Sequence, residues 1–487
     1  MSKSLSERSL SAVVWAVLDK LSGSVVSFVV TILLARLLSP EDFGLVAMVM
    51  IFFEFSAVFV ESGFSTALIR EKTISEADKS TTFIFNLIAS VALYGVLFAG
   101  APYIAAFFNQ PLLTLIVRIM GVSLIVNAFS IVQHSVLIQQ IDFKTQTIVR
   151  SAAVLVSGGV AVALAFNGWG VWSLVARYAL LDLMTTIMFW VLGRWRPSMQ
   201  FSRESFRRLF GFGSKILAAA VLDKFFVHIY KLLIGKFFAA ATLGFYTQAG
   251  TFTNMVINTL FRTVQSVTYP VLAKLQDDRE KLKMGYRKML QLSSFIIVPA
   301  MTVLGVLAEP VLITLVGEKW LPAAPMLQLL CLSGVTYHFS TVNLNMLLVL
   351  GRSDLSLKLE VIKKINIAIA IVVGLQYGIY GLIIGEVIAT YVNLVINAYY
   401  SKKFLHYSLG EQVRDILPTV AFSVLVGCLL FFLKNLPTTT GMLQLILLAA
   451  IGAVVYLGLH WVAKTEEMQF IRHTIIPKTM QLVRKKA

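Results

Sequence analysis

Long apolar runs, separated by short polar connections, recur from one end of this chain to the other. Each run is rich in Leu, Val, Ile and Phe and has about 20 residues, enough for a helix to cross about 30 Å of hydrocarbon. The pattern therefore predicts an all-α polytopic membrane protein with about 14 transmembrane helices. The predicted spans are 12–38, 43–68, 82–108, 112–138, 147–166, 170–192, 211–235, 243–269, 290–316, 323–350, 359–376, 380–400, 416–433 and 441–463.

Composition supports this class of protein. Of the 487 residues, 57% are hydrophobic and 14% are charged, and the mean hydropathy is +0.80. A soluble domain of this length needs more polar surface. The two cysteines, Cys331 and Cys428, both lie in predicted spans, so we expect no structural disulfide. We also expect the first span to be retained, because no small-residue cleavage site follows it.

The net charge of +17 is explained by the distribution of Lys and Arg among the connections. Most of these residues lie in the two termini and in the connections after even-numbered spans. This asymmetry predicts that both termini are cytoplasmic, and it makes the basic loops suited to anionic lipid rather than to nucleic acid. The connections after odd-numbered spans contain only Arg36, Lys236, Lys319 and Lys434.

Several segments of the first half recur in the second half. AVLDK occupies residues 16–20 and again 220–224, and LLARLLSPEDFGL at 33–45 aligns with LIGKFFAAATLGF at 233–245. The matches keep their order at an offset of about 200 residues, which predicts two six-span copies of the same orientation with a substrate path between them. The predicted parts are an N-terminal six-helix bundle (1–200), a C-terminal six-helix bundle (201–405), and two additional helices with a basic cytoplasmic tail (406–487).

Polar and charged side chains recur at helical spacing inside several spans, as at Lys224, His228 and Lys231. An ionised group at mid-depth costs several kcal/mol in lipid, so these faces predict a water-filled cationic cavity lined by spans 1, 2, 7 and 8. The candidate substrate-binding cations are Lys20, Lys224, His228, Lys231, Arg262, Arg118 and Arg177. The candidate polar lining residues are Ser24, Ser27, Thr31, Thr251, Asn254, Asn258 and Gln265.

The acidic residues within spans have two interpretations: they pair with the cavity cations, or they couple transport to an ion. For Arg118 and Arg177 a structural contact and a cavity role are equally compatible with the sequence. We find no phosphate-binding Gly-rich loop, metal-ligand spacing or nucleophile motif, and the predicted outer connections are short. We therefore expect a protein that is not an enzyme and has no catalytic residue, cofactor or metal. The acidic candidates are Asp19, Glu54, Glu61, Asp223 and Glu386.

Four segments resemble known motifs: LARLLSPEDFGLVAMV, ESGFSTALIREKTIS, YPVLAKLQDDREKLKMGYRKML and GEKWLPAAPMLQLLCLSG. They are similar to motifs of the bacterial exopolysaccharide and O-antigen flippases. More closely, they resemble the colanic-acid-exporter type within the multidrug, oligosaccharidyl-lipid and polysaccharide exporter superfamily. The resemblance extends to about residue 415 and implies two six-helix bundles with two appended helices.

This resemblance implies a flippase that moves undecaprenyl-diphosphate-linked oligosaccharide from the cytoplasmic to the periplasmic leaflet of the bacterial inner membrane. Alternating access through the cationic cavity would supply exopolysaccharide, O-antigen or capsule assembly. The implied partners are the lipid-linked oligosaccharide, membrane lipids and downstream polymerase and export machinery, with a proton or a sodium ion open as the coupling ion. The alternative is an ion-coupled exporter of another amphiphile or a drug in the same superfamily.

Overall fold

The computed structural model describes residues 23, 25–61, 63–71, 74–193, 195–198, 200–257, 259, 272, 275, 277–435, 441–470 and 472–473. Throughout this part of the chain, regular structure is helical and contains no strand, so the all-α prediction is confirmed. Nine of the helices described there are long and apolar enough to cross a membrane. The total of about 14 spans stays a prediction.

Most of the long helices coincide with predicted spans, and all helices are numbered in chain order. Between α11 and α12 lies a 3₁₀ helix, Glu318–Ala323. The helices are α1 Val25–Leu37, α2 Pro40–Glu61, α3 Phe64–Arg70, α4 Glu76–Phe108, α5 Leu113–Gln139, α6 Phe143–Phe166, α7 Val171–Leu192, α8 Arg203–Phe237, α9 Ala240–Val256, α10 Arg279–Val306, α11 Ala308–Leu315, α12 Ala324–Val349, α13 Ser353–Leu375, α14 Gly378–Leu405, α15 Leu409–Leu433, α16 Met442–Val462 and α17 Glu466–Phe470.

Local capping residues decide where several helices begin. Ser39 precedes Pro40, the first residue of α2, and its side chain accepts a hydrogen bond from the backbone N–H of Asp42 at 3.2 Å. The Asp42 carboxylate in turn accepts the Ser39 N–H at 2.9 Å. Ser75 and Asp78 form the same reciprocal pair at the start of α4. These pairs satisfy N–H groups that the first helical turn leaves without partners.

Two predicted spans are broken in the structure, and both predictions of a continuous helix were wrong. The span predicted at 43–68 is split between α2 and α3 at Gly63, which has a left-handed φ of 68°. A Cβ atom at Gly63 would overlap the backbone carbonyl of Gly213 in α8, so the close approach requires glycine. The span predicted at 290–316 divides at Leu307 into α10 and α11.

Contacts divide the chain into two compact units, 1–247 and 248–487. In the first unit, α4 packs along α5, α6 along α7, and α5 against α7. In the second unit, α10 packs along α12, α13 along α14, and α12 against α14. The helices of predicted spans 9–12 thus pair in the same order as those of spans 3–6. This order supports the proposed duplication, whose boundaries stay a prediction.

The first unit also contains α8, the first helix of the predicted second copy, because α8 packs along α2. Helix α8 runs without interruption for 35 residues. Gly63, just beyond the end of α2, touches Gly213 of α8, and Met48 of α2 lies beside Gly235 of α8. Residue numbers therefore fall along α2 as they rise along α8, so the two helices are antiparallel over most of the length of α2.

Within the second unit, the two C-terminal helices are attached to α10. Arg287 of α10 forms a bidentate pair with Asp415 of α15, with N–O distances of 2.6 and 2.7 Å. The Tyr407 hydroxyl donates to the same carboxylate at 2.6 Å, and burial together with Asp415 raises the pKa of Tyr407. The Tyr456 hydroxyl of α16 donates to the Phe295 carbonyl oxygen at 2.9 Å. Charge-assisted bidentate pairs are among the strongest side-chain contacts, so α15 is firmly held on α10.

Candidate functional site

Glu54 of α2 receives two donors from α8 at one carboxylate oxygen. The Lys224 Nζ donates to Glu54 Oε2 at 2.8 Å, and His228 Nε2 lies 2.9 Å from the same atom. Lys224 and His228 are four residues apart, so they project from the same face of α8 and reach one partner. The sequence predicted this basic face, and the structure supplies its counter-charge. We call Glu54, Lys224, His228 and Lys231 the Glu54 cluster.

The members of the Glu54 cluster differ in exposure. The Glu54 side chain is 33% exposed and that of Lys224 is 37% exposed, whereas that of His228 is only 5% exposed. The side chains of the ion pair are therefore partly exposed, whereas the imidazole beside them is buried. A charge inside a membrane helix is costly unless it is paired or faces water, and this pair meets the first condition.

Lys231 lies one turn beyond His228 on α8 and is half-buried. It has no ion pair or hydrogen bond with any residue the structure describes, although the charges of Glu54 and Lys224 act on it. The cluster thus contains two ammonium groups and one carboxylate, leaving a net positive charge when the imidazole is neutral. Glu61, the last residue of α2, is exposed and adds a more distant negative charge that Lys224 senses.

Arg177, Ser27 and Thr31 form a second group of predicted residues. Arg177 of α7 is 8% exposed, and its guanidinium donates to Thr31 Oγ1 at 3.0 Å. It also donates to the Ser27 hydroxyl and carbonyl oxygens at 3.0 and 3.2 Å. These bonds join α1 to α7 and use much of the hydrogen-bonding capacity of the guanidinium. In this structure Arg177 makes an interhelix contact, and its cavity role stays a prediction.

Arg118 of α5 is engaged with α4. Its guanidinium carbon lies 4.3 Å from the centre of the Phe98 ring, and its Nε donates to the Phe98 carbonyl oxygen at 3.4 Å. A cation over an aromatic face is a stabilising contact. This arrangement matches the structural interpretation that the sequence left open for Arg118.

The remaining predicted residues differ in exposure where the structure describes them. Asp223 is exposed on α8, and Thr251 and Asn254 of α9 are half-buried and exposed, respectively. Glu386 of α14 is half-buried, and its carbonyl oxygen accepts from Thr390 at 2.8 Å. The predicted residues that lie outside the described part of the chain are Asp19, Lys20, Ser24, Asn258, Arg262 and Gln265.

The sequence did not predict a polar cavity of about 700 Å³ in the first unit. Its lining includes Glu76, Lys79, Asp142 and Arg196, at the connections that follow predicted spans 2, 4 and 6. Lys79 pairs with Glu76 at 2.7 Å, and Arg196 donates to backbone carbonyls, including that of Trp190 at 2.6 Å. The lining charges balance, and local sequence patterns cannot reveal a cavity assembled from distant connections. In the residues that the structure describes, no group of three acidic, His or Cys side chains could hold a metal ion.

Residues 33–325, more than half of the chain, match the family described as polysaccharide biosynthesis protein. The chain belongs to this family. It is 24% identical over 439 residues to the lipopolysaccharide biosynthesis protein WzxC of Escherichia coli K12, covering 88% of this chain and 89% of WzxC. It is 23% identical over 355 residues to the teichuronic acid biosynthesis protein TuaB of Bacillus subtilis, covering 72% of this chain and 74% of TuaB.

The fold of this polysaccharide biosynthesis protein is similar to that of the lipid II flippase MurJ in its inward closed conformation. The TM-score is 0.75 at 16% identity, covering 96% of this chain and all of the MurJ chain. At this level of identity the similarity shows that the two chains share a helical fold. The resemblance of the sequence motifs to proteins of polysaccharide assembly is confirmed by the family match over residues 33–325.

Proposed function

We propose that this protein is a flippase that moves an undecaprenyl-diphosphate-linked oligosaccharide from the cytoplasmic to the periplasmic leaflet. The observation that carries the proposal is the Glu54 cluster: Lys224, His228 and Lys231 lie on one face of α8, which contains the predicted span 211–235, and together exceed the charge of Glu54. In a member of the polysaccharide biosynthesis family, such a cluster is suited to an anionic, carbohydrate-bearing lipid.

The chemistry of this ligand fits the cluster. A diphosphate needs cations in place of water when it enters a low-dielectric region, and ammonium groups provide charge-assisted hydrogen bonds. The sugar needs hydroxyl and amide partners, which are the groups that the sequence pattern predicts for the path at Thr251 and Asn254. The polyprenyl tail can stay in the bilayer throughout, so the protein carries only the polar head group across.

The proposal includes alternating access between the two predicted halves, with both termini cytoplasmic and the protein in the bacterial inner membrane. Membrane lipids and the downstream polymerase and export machinery are the proposed partners. The coupling ion, a proton or sodium, is not assigned. The alternative function is ion-coupled export of another amphiphile or a drug. A cationic drug would be repelled by the net positive charge of the Glu54 cluster, so we favour the lipid-linked oligosaccharide.

The test is to delete the coding sequence and to measure lipid-linked saccharides by mass spectrometry. We expect one undecaprenyl-diphosphate-linked oligosaccharide to accumulate, and the wild-type protein to restore its level. Lys231→Ala should fail to restore it at normal abundance in the membrane. Lys358→Ala, which changes an exposed lysine of α13, is the matched control and should restore it fully. Loss of drug resistance without accumulation of any lipid-linked saccharide would establish the alternative instead.

A further inference from the structure

The geometry around Glu54 resembles the way a protein binds an oxyanion. Two nitrogen donors from successive turns of α8 converge on the single oxygen Glu54 Oε2, at 2.8 and 2.9 Å. Converging nitrogen donors at these distances are the arrangement that proteins also use for phosphate oxygens. The carboxylate of Glu54 therefore occupies a position in which a ligand phosphate oxygen could be bound.

The same cluster has unused bonding capacity around this position. Lys231 Nζ forms no ion pair within the described part of the chain, and His228 Nδ1 is buried there without a hydrogen bond. Buried polar atoms normally have partners. An anionic ligand oxygen can accept a hydrogen bond from Lys231 Nζ, and from His228 Nδ1 when the imidazole is protonated. A carboxylate with one charge cannot satisfy all three basic side chains, whereas a diphosphate has several anionic oxygens that can.

We propose that Glu54 is a built-in competitor that occupies the phosphate position until a multivalent anion displaces it. This inference rests on the proposed function, because it assigns a specificity-determining role to an acidic residue of the same cluster. A monovalent anion exchanges one negative charge for another and gains nothing over Glu54. A diphosphate brings more charge and more oxygen atoms, so it can bind Lys224, His228 and Lys231 together and displace the carboxylate.

The competitor also limits how tightly the ligand is held. After displacement, Glu54 stays beside Lys224 and can return to it, because the Lys224 and Glu54 side chains are both about one-third exposed. A carrier needs a site that binds its ligand selectively and still releases it. Glu54 provides selectivity against small anions of the cytoplasm and lowers the affinity for the ligand at the same time.

The test measures binding of inorganic pyrophosphate and of acetate to the full-length protein in lipid nanodiscs by calorimetry. Glu54→Gln keeps the shape of the side chain and removes its charge. We expect pyrophosphate to bind about tenfold more tightly to this variant, the size of effect expected of an ion pair near a protein surface. Acetate should gain affinity by a larger factor, because it can bind only at the Glu54 position, whereas pyrophosphate also binds Lys231. The preference for pyrophosphate over acetate should therefore fall. Glu41→Gln, the matched control at an exposed position in the first turn of the same helix, should behave as wild type.

Two further variants test the mechanism and guard against misfolding. Glu54→Asp keeps the charge but shortens the reach to Lys224 and His228, so it should give a smaller gain of a few-fold. Adding Lys224→Gln to Glu54→Gln should cancel the gain, because the freed cation is then absent. Unchanged pyrophosphate affinity in both Glu54 variants, at wild-type unfolding temperature, would overturn the inference.

Failure of this inference can be distinguished from failure of the proposed function. A flipping assay in vesicles with undecaprenyl-diphosphate-linked saccharide measures the function separately. Normal flipping by the wild type without any gain in pyrophosphate affinity in the variants would overturn only the competitor role. A gain in affinity without flipping of any lipid-linked saccharide would support the competitor role and overturn the flippase proposal.

Discussion

Gly44 of α2 and Gly244 of α9 lie in a reciprocal backbone contact. A Cβ atom at Gly44 would overlap the carbonyl oxygen of Ala240, and a Cβ atom at Gly244 would overlap the carbonyl oxygen of Pro40. The two glycines were matched to each other by the sequence repeat, so equivalent positions of the two proposed copies meet at this point. Small residues allow membrane helices to approach this closely, and packing then holds them together.

Gly44→Ala should destabilise the protein by about 1–3 kcal/mol, because the added methyl group forces the first turns of α2 and α9 apart. The midpoint of thermal unfolding in detergent measures this effect. Gly95→Ala in α4 is the matched control, since nothing lies within 4 Å of a Cβ atom there. An equal unfolding temperature for both variants would contradict the close contact.

Arg177→Lys should lower stability by about 1–3 kcal/mol, because one ammonium group cannot replace the three hydrogen bonds that the guanidinium makes to Ser27 and Thr31. Thermal unfolding and flipping activity are measured on the same preparations. Arg203→Lys, on the exposed first turn of α8, is the control. A variant with wild-type stability but no flipping would favour the cavity role for Arg177 over the interhelix contact.

Asp415→Asn should destabilise the attachment of α15 to α10, because it removes the charge that holds Arg287 in a bidentate pair. We expect a loss of about 1–3 kcal/mol in unfolding free energy. Glu466→Gln is the milder comparison, since Glu466 lies 3.4 Å from the Arg287 guanidinium. A larger effect at Glu466 than at Asp415 would contradict this order of strength.

Tyr407→Phe should cost less than Asp415→Asn, and its effect should not depend on pH between about 6 and 9. Burial and Asp415 raise the pKa of Tyr407, so the hydroxyl keeps its proton and donates to Asp415 throughout this range. A raised tyrosine pKa reduces stability only as pH rises through the unfolded-state value of about 10. Unfolding midpoints across this pH range measure the difference, and a difference that shrinks towards pH 9 would contradict the assignment.

Cysteine labelling tests the predicted topology. In a background without Cys331 and Cys428, single cysteines at Ser39 and Gln376 should react with an impermeant reagent on intact cells. Single cysteines at Ser202 and Asp278 should react only after the cells are opened, because the distribution of basic residues places these positions in the cytoplasm. Labelling of Asp278Cys from outside would overturn the span assignment.

Much of the helical framework could be predicted from the sequence. The span predicted at 112–138 corresponds to Leu113–Gln139, and the span at 170–192 corresponds to Val171–Leu192. Such segments are local signals, because a membrane helix must be apolar over its own length. The break at Gly63 was missed because the apolar run continues through it. Its cause is the contact with Gly213, which lies far away in the sequence.

The candidate site could be predicted only in part, for the same physical reason. Helical spacing predicted that Lys224, His228 and Lys231 share one face. The sequence also suggested Glu54 as a charge partner, but it could not choose between Glu54 and Glu61. The choice depends on how α2 and α8 align, which places Glu54 at 2.8 Å from Lys224 and leaves Glu61 exposed at the helix end. Long-range register of this kind has no signature in either helix alone.

The unbroken length of α8 has a mechanical consequence. At 1.5 Å per residue its 35 residues extend about 52 Å, well beyond a hydrocarbon core of about 30 Å. Near its first turn Arg208 is anchored to Asp78, and near its last turn Lys236 donates to the Phe107 carbonyl oxygen at 2.6 Å. Because a continuous helix bends little, a few degrees of tilt become several ångströms at its far end. If a ligand binds Lys224 as proposed, a small tilt of α8 would change the contacts of Arg208 and Lys236 together.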